Sequence, residues 1–160
     1  MATIERFEDL LCWQRARELT KEIYKNFKDL KDFGFRDQIQ RAAVSVVSNI
    51  SEGFESGTRE EFINYLYIAK ASAGEVRAQL YVALDAGYIN ISTFTHLKGL
   101  AEECSKLVYG FAVKVKGGAR RGLQHKHVEK PDWLEEHLRE NNMVRMPDGR
   151  IVSKDRLPDV

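Results

Sequence analysis

Long apolar runs are missing from this 160-residue chain. No stretch approaches the roughly 20 consecutive apolar residues that span a bilayer, so no membrane-spanning helix is expected. The first residues, MATIERFEDLL, put no basic segment ahead of an apolar one, and no secretory leader is expected. Cysteine is scarce: Cys12 and Cys104 are the only two. They form no CxxC pair and no disulfide framework, and both fall in helical segments. Buried free thiols and the reducing cytoplasm follow. A net charge of +1 excludes the bulk attraction for polyanions that a strongly basic protein has. Phosphate-cradling loops are absent as well, because Gly117-Gly118 and Gly122 follow a helix and not a strand.

Histidine is equally sparse where a metal would need it. Di-metal helical bundles take Glu-x-x-His pairs from two helices, yet His96 stands alone before residue 117, and the residue three before it is Thr93. No metal and no cofactor is expected. Cys104 lies on the inner seam of its helix and Cys12 beside Trp13, where thiols act as small apolar fillers. With no nucleophile, metal pair or phosphate loop, the chain is expected not to be an enzyme.

What is present is helical periodicity. Hydrophobic residues make up 43% and charged residues 31% of the chain, as in a globular domain with a buried core. Phe7, Leu10, Leu11, Trp13, Ala16, Leu19, Ile23, Phe27 and Leu30 recur mostly at steps of three and four, predicting a first helix from about Arg6 to Lys31. Asp32-Phe33-Gly34 breaks it. A second helix is predicted from about Arg36 to Glu52, with Gly53 as its left-handed cap. Thr58 with Glu61 three residues on is a capping-box pattern opening a third helix, Arg59 to about Ala86. Its seam is Phe62, Leu66, Ala69, Ala73, Val76, Leu80, Ala83 and Gly87, the last as cap. Ser92 or Thr93 opens the fourth, with seam Leu97, Leu100, Cys104, Leu107 and Phe111 and with Ala101 and Val108 beside it. Long helices joined by short loops predict an all-α, up-down-up-down four-helix bundle over residues 1–116.

The remainder carries different signals. Residues 117–131 read as a glycine-containing basic linker. In the C-terminal tail, 132–160, Asp132 caps a short amphipathic helix bearing Trp133, Leu134 and Leu138 on one side. Met143–Met146 and Arg150–Val152 then flank Pro147-Asp148-Gly149 as a candidate β-hairpin. Too few apolar residues remain for the tail to hold a core of its own. It docks on the bundle, crosses to a neighbouring subunit, or orders on a partner.

The second helix is unusual in composition. In QIQRAAVSVVSNISEG (Gln38–Gly53), Ala42, Ala43, Ser45 and Ser48 replace the long side chains of an ordinary surface helix, beside the apolar face Ile39, Val46, Val47 and Ile50. Such a face suits a closely approaching backbone. With FEDLLCWQRARELTKEIY (Phe7–Tyr24), EEFINYLYIAKASAGEVRAQL (Glu60–Leu80) and DAGYI (Asp85–Ile89), this block resembles the 23S rRNA intervening-sequence four-helix-bundle family. That family carries F-x-D-L-x-x-W-x-x-A, then a Q-hydrophobic-x-R-A block ending N-I-x-E-G, then a helix ending E-x-x-x-Q-L. The match covers residue 7 to about 112. Val47 stands at a usual proline, Ser51 at a usual alanine, Ala71-Ser72 at a common glycine-serine and Arg77 at a common glutamate. The resemblance implies a bundle that assembles into a homo-oligomer, commonly a pentameric ring. A distant branch of the bundle serves as the accessory protein of retroelement reverse transcriptases, where it binds nucleic acid and the polymerase.

Three sets of residues are candidate sites. Arg41, Asn49, Glu52, Glu75 and Gln79 are the polar members of the matched blocks. They are expected to form a structural network locking the second helix to the third, because buried charge persists only when paired. The competing reading is a ligand or RNA site. Lys114, Lys116, Arg120, Arg121, Lys126 and Lys130 face a single acid, Glu129, with His125 and His127 among them. That patch would contact RNA or DNA phosphates weakly and without reading sequence, although residues 1–116 balance 16 basic against 16 acidic side chains. Exposed aromatics for stacking bases are not evident. Trp133, Leu134 and Leu138 are candidate partner-binding residues of an alternative protein-interaction adaptor. The Arg120–His125 and Arg121–His127 spacings resemble those of HEPN-class ribonucleases, a third reading.

Overall fold

The computed structural model describes residues 4–117, 133–145 and 151–156. The chain divides into two compact units, Met1–His125 and Lys126–Val160. In the first unit a 3-10 turn, Phe7–Asp9, precedes four helices: α1 (Leu11–Phe27), α2 (Phe33–Glu55), α3 (Arg59–Asp85) and α4 (Ile91–Gly117). Each packs on its neighbour in sequence, and α1 closes the ring onto α4. This is the expected up-down-up-down bundle.

Local chemistry fixes the helix ends. The first helix begins later than expected, because the turn at Phe7–Asp9 ends at Leu10 in extended backbone. Asp32 accepts from the Phe35 amide at 3.1 Å and starts α2. Thr58 and Glu61 form the expected capping box of α3. At the far end of α3 the Gly87 amide donates to Leu84 at 3.0 Å and the Tyr88 amide to Ala83 at 2.8 Å. Gly87 takes φ +73 there, completing a Schellman cap. The fourth helix starts at Ile91, not at Ser92 or Thr93, because Asn90 accepts from the Thr93 amide at 2.8 Å.

Gly53 is not a cap. The second helix runs through it to Glu55. A Cβ there would lie 2.7 Å from both Phe62 Cδ2 and Tyr65 Cβ, and 3.3 Å from the Phe62 carbonyl oxygen. Glycine is needed for the approach of α3.

The core is zoned. At one end Phe7, Trp13, Phe54, Phe62 and Phe111 form a chain of tilted and edge-on contacts, centroids 5.2–6.5 Å apart. At the other, Phe27, Phe35 and Tyr88 do the same, and the Tyr88 hydroxyl donates to Asp32 at 2.7 Å. Between them the buried residues are smaller: Ala16, Leu19 and Ile23 on α1, Ala42, Ala43 and Val46 on α2, Ala69, Ala73 and Val76 on α3. Ala101, Cys104 and Val108 complete this layer from α4. Leu107 and Phe111 of the expected α4 seam are half-buried, and Ala101 and Val108 replace them inside.

In the second unit, α5 (Trp133–Glu140) leads to a two-stranded antiparallel hairpin, β1 (Met143–Arg145) with β2 (Ile151–Ser153). Val144 pairs with Val152, flanked by Met143–Ser153 and Arg145–Ile151. Asn142 sits at φ 53 between helix and strand, a conformation asparagine tolerates better than most residues. Its side-chain amide donates to Asp155 at 2.9 Å. Leu138 is buried. The turn Pro147-Asp148-Gly149 lies outside the described residues.

Candidate nucleic-acid interface

Lys114 and Lys116 are exposed on the last turn of α4. Beside them the Arg59 guanidinium, from the first turn of α3, donates to the carbonyl oxygens of Val115 and Lys116. Carbonyls at a helix C-terminus have no partner within the helix and carry partial negative charge. Arg59 satisfies two of them and ties the end of α4 to the start of α3. The other four cations of the expected patch (Arg120, Arg121, Lys126 and Lys130) lie outside the described residues. So do His125 and His127, and with them both arginine–histidine spacings.

The expected polar network is arranged differently from the sequence reading. Arg41 and Glu52 are exposed, and neither has an ion pair among the described residues. Asn49 bonds within its own helix, donating to the Ser45 carbonyl at 2.7 Å and to Ser45 Oγ at 3.0 Å. Gln79 donates to Glu75 at 3.1 Å, also within one helix, and its Oε1 is buried with no partner among the described residues. The link between α2 and α3 is instead a pair of hydroxyls, Ser45 and Ser72, 2.9 Å apart. Ser72 commits its proton to the Ile68 carbonyl at 3.0 Å. Ser45 therefore donates to Ser72 and accepts from Asn49, a one-way relay across the helix interface. Ser45 had signalled close packing; its role as the bridge was hidden because its partner lies on another helix.

Two of the departures from the family pattern, Ser51 and Arg77, make contacts between helices. Ser51 accepts from the Trp13 indole at 2.9 Å and donates to the Val47 carbonyl at 3.1 Å, joining α1 to α2. Arg77 lies 4.0 Å from Glu102 on α4. Thr20 Oγ1 sits between the Ala16 and Ala43 carbonyls, at 2.9 and 3.0 Å.

The aromatics absent from the sequence reading emerge on the face shared by α3 and α4. Tyr67, Lys70, Gly74, Arg77 and Tyr81 step by three and four along α3 and so share one side of it. Across the groove, α4 presents Lys98, Glu102, Lys106, Tyr109, Val113 and Lys116. Lys70 Nζ sits 5.5 Å from the Tyr109 ring centroid, and Tyr81 packs edge-on to Phe94 at 4.9 Å. Lys98 bonds Glu102 at 2.7 Å and, with its hydrogen bond first, holds that carboxyl below its ordinary range. Periodicity on one helix could reveal half of this face; the pairing of the two helices was needed for the rest.

Among the described residues no cluster of histidine, cysteine or carboxylate side chains could hold a metal. Burial pushes the Cys12 thiol up to about 11, and burial followed by the nearby Cys12 pushes Cys104 up to about 12. Thiols so raised are poor nucleophiles at neutral pH. Among the described residues no helix is long and apolar enough to cross a membrane. Leu138 is buried, whereas Met143 and Ile151 of the hairpin are exposed.

The model of the 23S rRNA-intervening sequence protein family matches residues 8–110. The chain belongs to that family. A solved structure from Bacteroides thetaiotaomicron VPI-5482, described as a protein with unknown function from the S23 ribosomal protein family, is similar with a TM-score of 0.61 and 25% identity. The similarity spans 64% of this chain and 98% of that one. The S23 protein is thus almost wholly matched, and the rest of this chain is additional to it. No curated protein matches.

Proposed function

We propose that the chain is a non-enzymatic, cytoplasmic, homo-oligomeric scaffold that holds RNA or DNA by its phosphates through the stretch Lys114–Lys130. The observation that carries this reading is the concentration of cations in the sequence from the end of α4, where Lys114 and Lys116 are exposed, next to a bundle otherwise balanced in charge. Arginine and lysine there neutralise phosphates without reading sequence, and assembly multiplies a weak patch by the number of subunits. For assembly, α3 offers an apolar stripe towards solvent: Ile68 and Val82, 49% and 53% exposed, with Ala71 and Ala78 between them. Val44 of α2 is exposed too. A ring of subunits, five in the family's common form, would cover these faces. Replacing Arg120 and Arg121 together by alanine lowers affinity equally for all sequences and flattens the salt dependence. Unchanged binding ends this reading.

A second reading rests on the unit 126–160, which lies beyond the residues that the family model matches and exposes Met143 and Ile151. It would serve as an adaptor for a protein partner, with Trp133 and Leu134 contributing and the buried Leu138 holding the unit together. Deleting residues 117–160 separates the two: loss of a co-purifying protein with RNA retained favours the adaptor.

A further inference from the structure

We propose that the groove between α3 and α4 is a binding track for single-stranded nucleic acid, with Tyr67, Tyr81 and Tyr109 as stacking platforms. This deepens the nucleic-acid reading above and rests on it, but names different residues. Three observations converge. The first is charge: Lys70, Arg77, Lys98, Lys106 and Lys116 line the face, where the carboxylate among them, Glu102, is already engaged by Lys98 and Arg77, and exposed Glu60 and Asp85 stand at the two ends of α3. Lys70, Lys106 and Lys116 have no carboxylate within ion-pair distance among the described residues. The second is aromatic surface: Tyr67, Tyr81 and Tyr109 are 42%, 49% and 49% exposed. A tyrosine ring held at a helix surface beside cations suits a base face, which any nucleotide presents.

The third observation is glycine. Gly74 lies inside α3 on the stripe that carries Tyr67, Lys70, Arg77 and Tyr81, and a Cβ on it would meet nothing within 4 Å. Helix-interior glycine is unfavourable relative to alanine, and no packing within the subunit requires it here. Flat helix surface between tyrosines and lysines lets a sugar-phosphate backbone approach closely. A second copy offered through the same face would set five cations against five. Tyr67 and Tyr81 are fourteen residues apart on one helix, about 21 Å at ~1.5 Å per residue, a length able to hold several nucleotides. Duplex keeps its bases stacked on one another, so the track is selective for single strands.

The test is fluorescence anisotropy with the full-length protein and labelled 12-mers of uridine and of thymidine, beside a duplex of the same length. Tyr67→Ala with Tyr109→Ala should weaken single-strand binding by roughly tenfold or more, with the salt slope unchanged, because no charge is removed. The matching pair of phenylalanine variants should bind like the parent. Lys70→Gln with Lys106→Gln should make the plot of log affinity against log salt shallower by about 1.4. Equal loss on both 12-mers means the 2′-hydroxyl is not read; loss on uridine alone assigns the track to RNA. Tyrosine variants that bind as the parent, while Arg120→Ala with Arg121→Ala loses binding, overturn the groove and leave the tail reading intact. No binding by the parent protein overturns both. A change of mass in light scattering with the tyrosine variants makes the face a subunit contact and also overturns the proposal.

Discussion

Gly53 and Gly110 look alike in the sequence, yet their surroundings give opposite predictions. At Gly53 there is no room for a methyl group, since Phe62 and Tyr65 already sit 2.7 Å from where it would go. Gly53→Ala gains roughly 1 kcal/mol of helix propensity but must displace the α3 backbone. A net loss of about 1–3 kcal/mol is expected in urea denaturation. At Gly99 and Gly110 the space is open. Gly99→Ala with Gly110→Ala should raise the melting temperature, by up to about 1 kcal/mol of stability per site. The sequence reading took Gly53 for a cap because glycine near a helix end usually is one. Nothing local distinguishes a glycine that turns the chain from one that admits a neighbouring helix. The neighbour here, Tyr65, is on the following helix.

Whole helices were far more legible than their contacts. The capping box at Thr58 and the left-handed Gly87 lie within a few residues of the backbone groups they satisfy, so local sequence contains all the information. The inner stripe of α4 was displaced, because a helix between two neighbours buries a band wider than an a/d seam. Among the helix starts, that of α2 makes a pH-dependent prediction. The Asp32 carboxyl is held below its ordinary value of 3.8, first by the Phe35 amide and then by the Tyr88 hydroxyl. A carboxyl whose folded value is depressed stabilises the fold above its unfolded value and loses that contribution as pH falls through the folded one. Asp32→Ala should therefore melt at a lower temperature than the parent at neutral pH. The gap should narrow as pH drops below 3.8, as thermal melts followed by circular dichroism will register.

At the scale of the molecule, the resemblance and the periodicity both led to the bundle, and the family match and the S23 structure agree with it. The proposed binding face was much less readable. It is assembled from α3 and α4, with Lys70 meeting Tyr109 across the groove, and no single segment carries it. The family model ends at residue 110, short of the unit 126–160, and the S23 structure matched covers 64% of this chain. Removing residues 126–160 should accordingly leave the bundle's cooperative melt within a few degrees of the full chain; collapse of the transition would show that the bundle needs its extension.

Both native thiols are sealed in the core, at 3% and 0% exposure, with their proton affinities raised. A maleimide dye added to the folded protein would therefore find nothing to attack. One cysteine introduced on the surface would take the whole label, with Cys12 and Cys104 left in place. Mixtures of donor- and acceptor-labelled copies would then report how many chains share a particle, without disturbing the interior that holds each one together.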